Sequence, residues 1–299
     1  AWADDSKTSD ASPLGSAGIP ETWDEEADFV VVGAGTALTG ALKAVADGMS
    51  CLCIEARGVA GGTTALSGGS VWIPCNDYAE DDKEAARTYL TKVADGLSTD
   101  AIIDAFISNA SPMINFITEQ AGVQWAIADR TDYHEQWEGA TRAVRTVKPF
   151  DPESGKTMSG AGYTQPQADA FEALGGRFLF DTTAERLVAR ALEDGRQEVL
   201  GVVATDANGA TKYVKANKAV LLGAGGFDYN DDMKAQYLDI PSPCSFQVPT
   251  CDGKGVRMAQ GVGADLAMMC YGWGNAAYKV IGEQAYAERT INANIAPLC

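Results

Sequence analysis

Basic side chains are scarce in this sequence: 23 Lys and Arg stand against 41 Asp and Glu, a formal charge of -18 over 299 residues. That balance excludes sequence-independent nucleic-acid binding, which needs a basic surface to displace condensed counterions, and electrostatic docking on anionic lipid. No apolar run approaches the ~20 residues of a membrane-spanning helix, so no such insertion is expected. Seven cysteines are present, yet no two form Cys-x-x-Cys, which excludes c-type haem attachment and removes support for a zinc ribbon. Small molecules and proteins remain as partners. With 46% hydrophobic residues the chain is globular and long enough for one large domain or two small ones.

Negative charge is concentrated at one end, where Asp4, Asp5, Asp10, Glu21, Asp24, Glu25, Glu26 and Asp28 face a single base, Lys7. A stretch rich in Ser, Asp, Ala and Pro buries too little apolar surface to fold alone, so residues 1 to 25 are expected to be an acidic disordered leader or tether. The opening Ala-Trp-Ala-Asp-Asp suits the mature end left by signal-peptide removal, which makes an exported protein, periplasmic or in the cell envelope, the expectation; an arbitrary start is the alternative. Cys51 and Cys53 alternate with Leu52 and Ile54 and read as core residues. Cys244, Cys251 and Cys270 leave open a disulfide or an iron–sulfur site, but their spacing fits neither ferredoxin pattern; scattered thiols are the plainer reading, and no metal is expected.

At Asp28 the pattern changes to Asp-Phe-Val-Val-Val-Gly-Ala-Gly, an apolar run broken by glycine, and Thr36 to Ala46 then carry apolar residues at helical spacing. A second run, Cys51 to Ile54, ends on Glu55. This is a strand–helix–strand unit of the dinucleotide-binding kind, in which a pyrophosphate meets the helix N-terminus and an acid accepts hydrogen bonds from a ribose. The third glycine of Gly-x-Gly-x-x-Gly is replaced by Leu38, with Gly40 two places late; Leu38 should push the helix outward or need compensation from Ala37 and Ala41.

Gly61 to Gly69 is too glycine-rich for a regular helix interior and offers freed amides and the hydroxyls of Thr63, Thr64 and Ser67 to a phosphate or a flat ring. Residues 83 to 121 read as helical, with Pro112 near a boundary or kink. Residues 124 to 157, with Trp125, Tyr133, His134, Trp137, Arg142, Arg145 and Phe150, read as an aromatic irregular loop that lines a site. A helix at Pro166 to Leu174 and strands at Arg177 to Phe180 and Val199 to Thr205 follow. Ala219 to Phe227 then repeats the apolar strand that ends in clustered glycines. Two such strand ends fit either a sheet with two dinucleotides or one large cofactor touched twice.

Four blocks in order, Val30 to Gly35 with Glu55, Gly61 to Gly69, Val220 to Phe227, and Asp252 to Gly255 with Gly263 to Leu266, resemble the FAD-binding part of the fumarate reductase and 3-ketosteroid dehydrogenase flavoprotein superfamily. Ala65 to Pro74 and Thr131 to Glu135 are more similar to the steroid-dehydrogenase branch. The resemblance implies an α/β fold: a Rossmann-like FAD-binding domain over residues 26 to 266, then the start of an α+β cap domain at 267 to 299, either truncated or completed by another chain. It implies non-covalent FAD with the pyrophosphate over Gly33, Ala34, Gly35, Thr36 and Ala37, and the ribose on Glu55 with Ala56 and Arg57 beside it. The isoalloxazine would be bordered by Gly62, Thr63, Thr64, Ser67, Gly68 and Gly69. Ala184 main chain would meet the adenine, and Gly223, Gly225 and Asp252 would complete the site. In relatives with covalent flavin a histidine stands at the start of the second block; Gly62 occupies that place, and the single histidine here is His134. Tyr133 is the implied catalytic, substrate-facing hydroxyl. The implied activity is hydride transfer between flavin and a carbon adjacent to a carbonyl, on a 3-ketosteroid-like apolar ketone. A fumarate-reductase-like ene-reductase of a small unsaturated acid, clamped by Arg142 and Arg145, and a non-catalytic flavin-binding subunit are the alternatives. A second polypeptide would supply the cap and the C-terminal flavin-site segment.

Overall fold

The computed structural model describes residues 17–239 and 245–271, together with the backbone of two short strands at 277–278 and 289–290. The chain opens with β1 (Glu25–Val32), α1 (Leu38–Ala46) and β2 (Cys51–Ile54), then α2 (Gly62–Leu66), β3 (Val71–Trp72), α3 (Lys83–Ala94) and α4 (Asp100–Ala121). There follow β4 (Gln124–Ile127), β5 (Thr146–Asp151), β6 (Lys156–Thr157), α5 (Ala161–Ala173), β7 (Arg177–Leu179) and β8 (Thr183–Ala191). The last elements are β9 (Gln197–Thr205), β10 (Thr211–Leu222), α6 (Asp231–Tyr237), α7 (Lys254–Gln260), β11 (Ala277–Tyr278) and β12 (Arg289–Thr290).

The main sheet has six strands in the order β7-β2-β1-β10-β9-β8. Its first four strands are mutually parallel, while β9 and β8 fold back as antiparallel neighbours. Period-two alternation sorts the apolar side chains of β1 and β2. Val31, Cys51 and Cys53 face α1 and α5, packing on Leu38, Leu42 and Phe171; Val30, Val32, Leu52 and Ile54 face the opposite side with Leu187, Val202 and Met258. Each fully buried aliphatic side chain contributes about 1.5–3 kcal/mol, so slipping β1 by one residue would forfeit both layers. A smaller sheet, β3-β5-β4 with β6 on β5, rests on α4 through Ile73, Ile114, Ile117 and Trp125.

Several expectations need correction. Residues 17–25 are not a free tether: the Ala17 N–H donates to Leu187 O at 2.9 Å, Trp23 packs on Val188 and Val203, and β1 already begins at Glu25. Their apolar members find a face on the β8–β10 ribbon that composition alone does not reveal. Residues 1–16 lie outside the described part, as do most of the cap residues expected at 267–299. The 124–157 stretch is not wholly irregular, because β4, β5 and β6 pair within it. Pro112 sits inside the 22-residue α4, and Pro166 inside α5, which starts at Ala161. Each removes one helical hydrogen bond, but the Ile107, Ala110, Ile114 and Ile117 face of α4 is buried on both sides of Pro112, and that packing carries the helix through.

Candidate functional site

β1 and β10 are parallel neighbours, with Val32 opposite Leu222, so both glycine-terminated strands end at the same edge of the sheet. The Gly223 N–H donates to Val32 O at 2.8 Å, and Gly33 adopts φ +93° with its Cα against the Gly223 carbonyl, where a Cβ would have no room. One cavity of about 550 Å³ opens there. The two strand ends therefore serve a single site, at the carboxyl ends of parallel strands where α/β sheets hold ligands.

Helix α1 leaves that edge with no side-chain cap and no acid in its first turn, which keeps its amide end available to an anion. Leu38 does not push it outward. Leu38 is fully buried in the layer of Phe171 and Cys53, and the close approach passes to Gly40, whose Cβ would come within 2.8 Å of Leu221 Cδ2. Ala37 contributes as expected, lying against Gly223.

Glu55, 5% exposed, is committed locally: Oε2 accepts the Ala34 N–H at 2.8 Å and Oε1 the Arg57 N–H at 2.9 Å. A carboxylate has about four acceptor sites, so capacity for a ribose remains on this cavity-lining group. The expected glycine loop contains a short helix, α2, because Gly61 and Gly62 take positive φ at its start and the strain falls on residues without Cβ. Thr36 and Thr64 hydroxyls meet at 2.9 Å, and the Thr63 Oγ1 accepts the Val248 N–H at 3.0 Å. Gly160, pressed against the Thr64 carbonyl, lets α5 buttress α2.

Of the expected cofactor residues, Gly33, Gly35, Thr36, Glu55, Ala56, Gly62, Thr63, Thr64, Ser67, Ala184, Gly223, Gly225 and Asp252 line the cavity. Ala34 is buried behind it and acts through the Glu55 hydrogen bond, while Ala37, Arg57, Gly68 and Gly69 stand outside the lining. The family carrying this arrangement is the FAD binding domain, which matches residues 28–274. This chain belongs to it. As an FAD-binding domain, the chain is 28% identical over 81% of its length to the 3-oxosteroid 1-dehydrogenase of Comamonas testosteroni, covering 55% of that protein. It is 27% identical over 79% of its length to the 4-oxocyclohexanecarboxylate 2-dehydrogenase of Sinomonas cyclohexanicum, covering 50% of it. The crystal structure of the 3-ketosteroid Δ1-dehydrogenase of Sterolibacterium denitrificans, in complex with 1,4-androstadiene-3,17-dione, superposes with a TM-score of 0.81 at 26% identity, over 87% of this chain and 59% of that one. The chain thus spans about half the length of the curated relatives it matches. FAD is the cofactor of the family, and the residues present fit it: a dinucleotide-sized cleft, an uncapped helix end, glycines that admit close approach and a buried carboxylate.

The cavity also takes in side chains outside the expected cofactor set: Tyr163, Thr182, Thr183, Gln247, Cys251, Lys254 and Met258. Position offered a signal for some, since Thr182 and Thr183 precede Ala184 and Cys251 precedes Asp252. Tyr163 offered none; it reaches the cavity because α5 packs on α2. Burial pushes its phenol up from the ordinary value, so it is a protonated donor at neutral pH. Burial likewise pushes up the Cys251 thiol, which donates to Gln247 Oε1 at 3.3 Å. Among the described residues no three His, Cys, Asp or Glu side chains gather to hold a metal, and Cys244 lies outside them.

Tyr133 is 58% exposed and is not part of the cavity wall. Arg142 and Arg145 do not form a carboxylate clamp. Arg145 is buried, its Nε 2.9 Å from Asp81 Oδ2 and its Nη1 3.2 Å from Asp132 Oδ2 and 2.7 Å from the Gly139 carbonyl; Arg142 pairs with Asp129 at the surface. Trp125 belongs to the core beneath β5. Among the described residues no helix is long and apolar enough to cross a membrane.

Proposed function

We propose that this chain is the FAD-binding part of a dehydrogenase that moves a hydride between flavin and a carbon adjacent to the carbonyl of a flat, apolar ring ketone such as a 3-ketosteroid. The observation that carries the reading is the single cavity shared by the β1 and β10 ends, in a chain whose relatives include dehydrogenases named for a ketosteroid and for an oxocyclohexane carboxylate. Bound FAD would supply the two-electron chemistry. Glu55 would hold the ribose while itself fixed by two backbone amides, and Gly33, Gly35 and the α1 amide end would receive the pyrophosphate. Thr63, Thr64 and Ser67 would border the ring system, with Tyr163 donating from the facing helix. Gly62 stands where relatives with covalent flavin carry a histidine, which supports flavin held non-covalently.

Tyr133 is proposed as a substrate-facing hydroxyl, carried by a segment that the buried Asp132 anchors. The cap and the remaining flavin-site segment come from further polypeptide, either continuous with this chain or a second one. With Arg145 consumed by Asp81 and Asp132, the small-acid reading has lost the residues that motivated it. The test is the visible spectrum of this chain joined with the polypeptide that completes its cap and flavin site, supplied with FAD and then anaerobically with a 3-ketosteroid. A flavin spectrum bleached by the steroid is expected. Protein that takes up no flavin, or flavin that a steroid leaves oxidised while a small unsaturated acid reoxidises its reduced form, would sink the proposal.

A further inference from the structure

The cavity contains an electrostatic conflict. Two carboxylates, Glu55 and Asp252, line it, the chain as a whole carries -18, and the pyrophosphate of FAD brings further negative charge. Among the described lining residues there is one cation, Lys254, at the first position of α7. Its Nζ donates a long hydrogen bond to Glu185 Oε1 at 3.4 Å and stands 3.7 Å from Asp252 Oδ2, with no hydrogen bond to the latter. The Lys254 side chain is 40% exposed, as are its partners to a similar degree, so these pairs contribute little and release it at small cost. A phosphate is the stronger partner, because a charge-assisted bond shielded from water outweighs a shared surface pair.

We propose that Lys254 is a phosphate ligand of the cofactor, exchanging its two carboxylates for the FAD pyrophosphate on binding. The inference rests on the FAD reading. A bland alternative is open to the same test: Lys254 could serve only to tie α7 to Glu185 on β8.

The experiment is titration of the flavin-free 299-residue chain with FAD, ADP and riboflavin at low and moderate salt, for the wild type, K254Q, K254R and E185Q. K254Q should weaken FAD and ADP by about tenfold and leave riboflavin unchanged, since riboflavin has no phosphate. K254R should restore affinity, and E185Q, which removes a competing carboxylate, should tighten FAD roughly twofold to threefold. The salt dependence of FAD binding should be steeper in the wild type than in K254Q. Equal FAD affinity of K254Q and wild type, with only a lower melting temperature, overturns the proposal in favour of the tie. If K254Q fails to fold, E185Q with unchanged affinity and a salt-insensitive wild type overturn it instead. A wild type that binds no FAD removes the cofactor reading itself.

Discussion

At the scale of single residues, glycine does two different jobs in this chain. Gly33 takes φ +93° and its missing Cβ leaves space for the Gly223 carbonyl, whereas Gly48 takes φ +80° with nothing within 4 Å of where a Cβ would lie. Gly33→Ala therefore combines backbone strain of about 1–3 kcal/mol with a clash against main chain that cannot yield, while Gly48→Ala suffers the strain alone. Thermal denaturation and FAD titration of the two variants should separate them. Gly48→Ala should lower the melting point modestly and keep its FAD affinity, and Gly33→Ala should lose both. Equal behaviour of the pair would mean that the β1 and β10 ends are not locked together.

Between elements, the strongest polar link is the buried Arg145. It joins the segment after β3, through Asp81, to the β4–β5 connection, through Asp132 and the Gly139 carbonyl, and Asp132 also accepts the Trp72 Nε1–H at 2.7 Å. Arg145→Met strands two buried carboxylates and should cost about 3–5 kcal/mol in chemical denaturation, against about 0–1 kcal/mol for Arg142→Ala in its exposed pair with Asp129. Burial alone would raise the Asp81 carboxyl, but Arg145 and the amides of Cys75 and Asp82 outweigh it, and its pKa lies below the ordinary carboxylate value. A depressed carboxylate stabilises the fold above its unfolded pKa of about 4 and loses that contribution as pH falls through the folded value. Wild-type stability should accordingly drop below pH ~4 by more than that of Arg145→Met, a difference visible in denaturation curves at pH ~3 and ~6.

Across the whole molecule, the cavity gathers residues from Val32 to Met258, drawn from the ends of β1, β2 and β10, the start of β8, α2 and α7. Filling it ties the core layer of Val32, Ile54, Ala184 and Met258 to one ligand. Free FAD at a hundred times its dissociation constant should stabilise the chain by about 2.7 kcal/mol and raise its melting temperature by roughly 4 °C. A melting temperature indifferent to FAD would show that the cavity does not bind it in the folded state.

How much was legible in the sequence depended on distance along the chain. Cys51 to Ile54 declare a buried strand by their own alternation, and Gly33, Glu55 and the helix between them form a unit of neighbouring residues whose chemistry is readable in order. The roles of Gly40, Arg145 and Tyr163 are not legible locally because they are set by partners far away: Leu221, Asp81 and the α2–α5 contact. The repeated strand-and-glycine device showed the same limit, being compatible with two ligands or one until β10 was seen beside β1. Local periodicity and backbone sterics act over a few residues, and they determined the elements and the kind of cofactor. Strand order and helix packing act between residues up to about two hundred apart in the chain, as Gly33 and Gly223 are; only they decided which side chains meet in the cavity and which are consumed in holding it open.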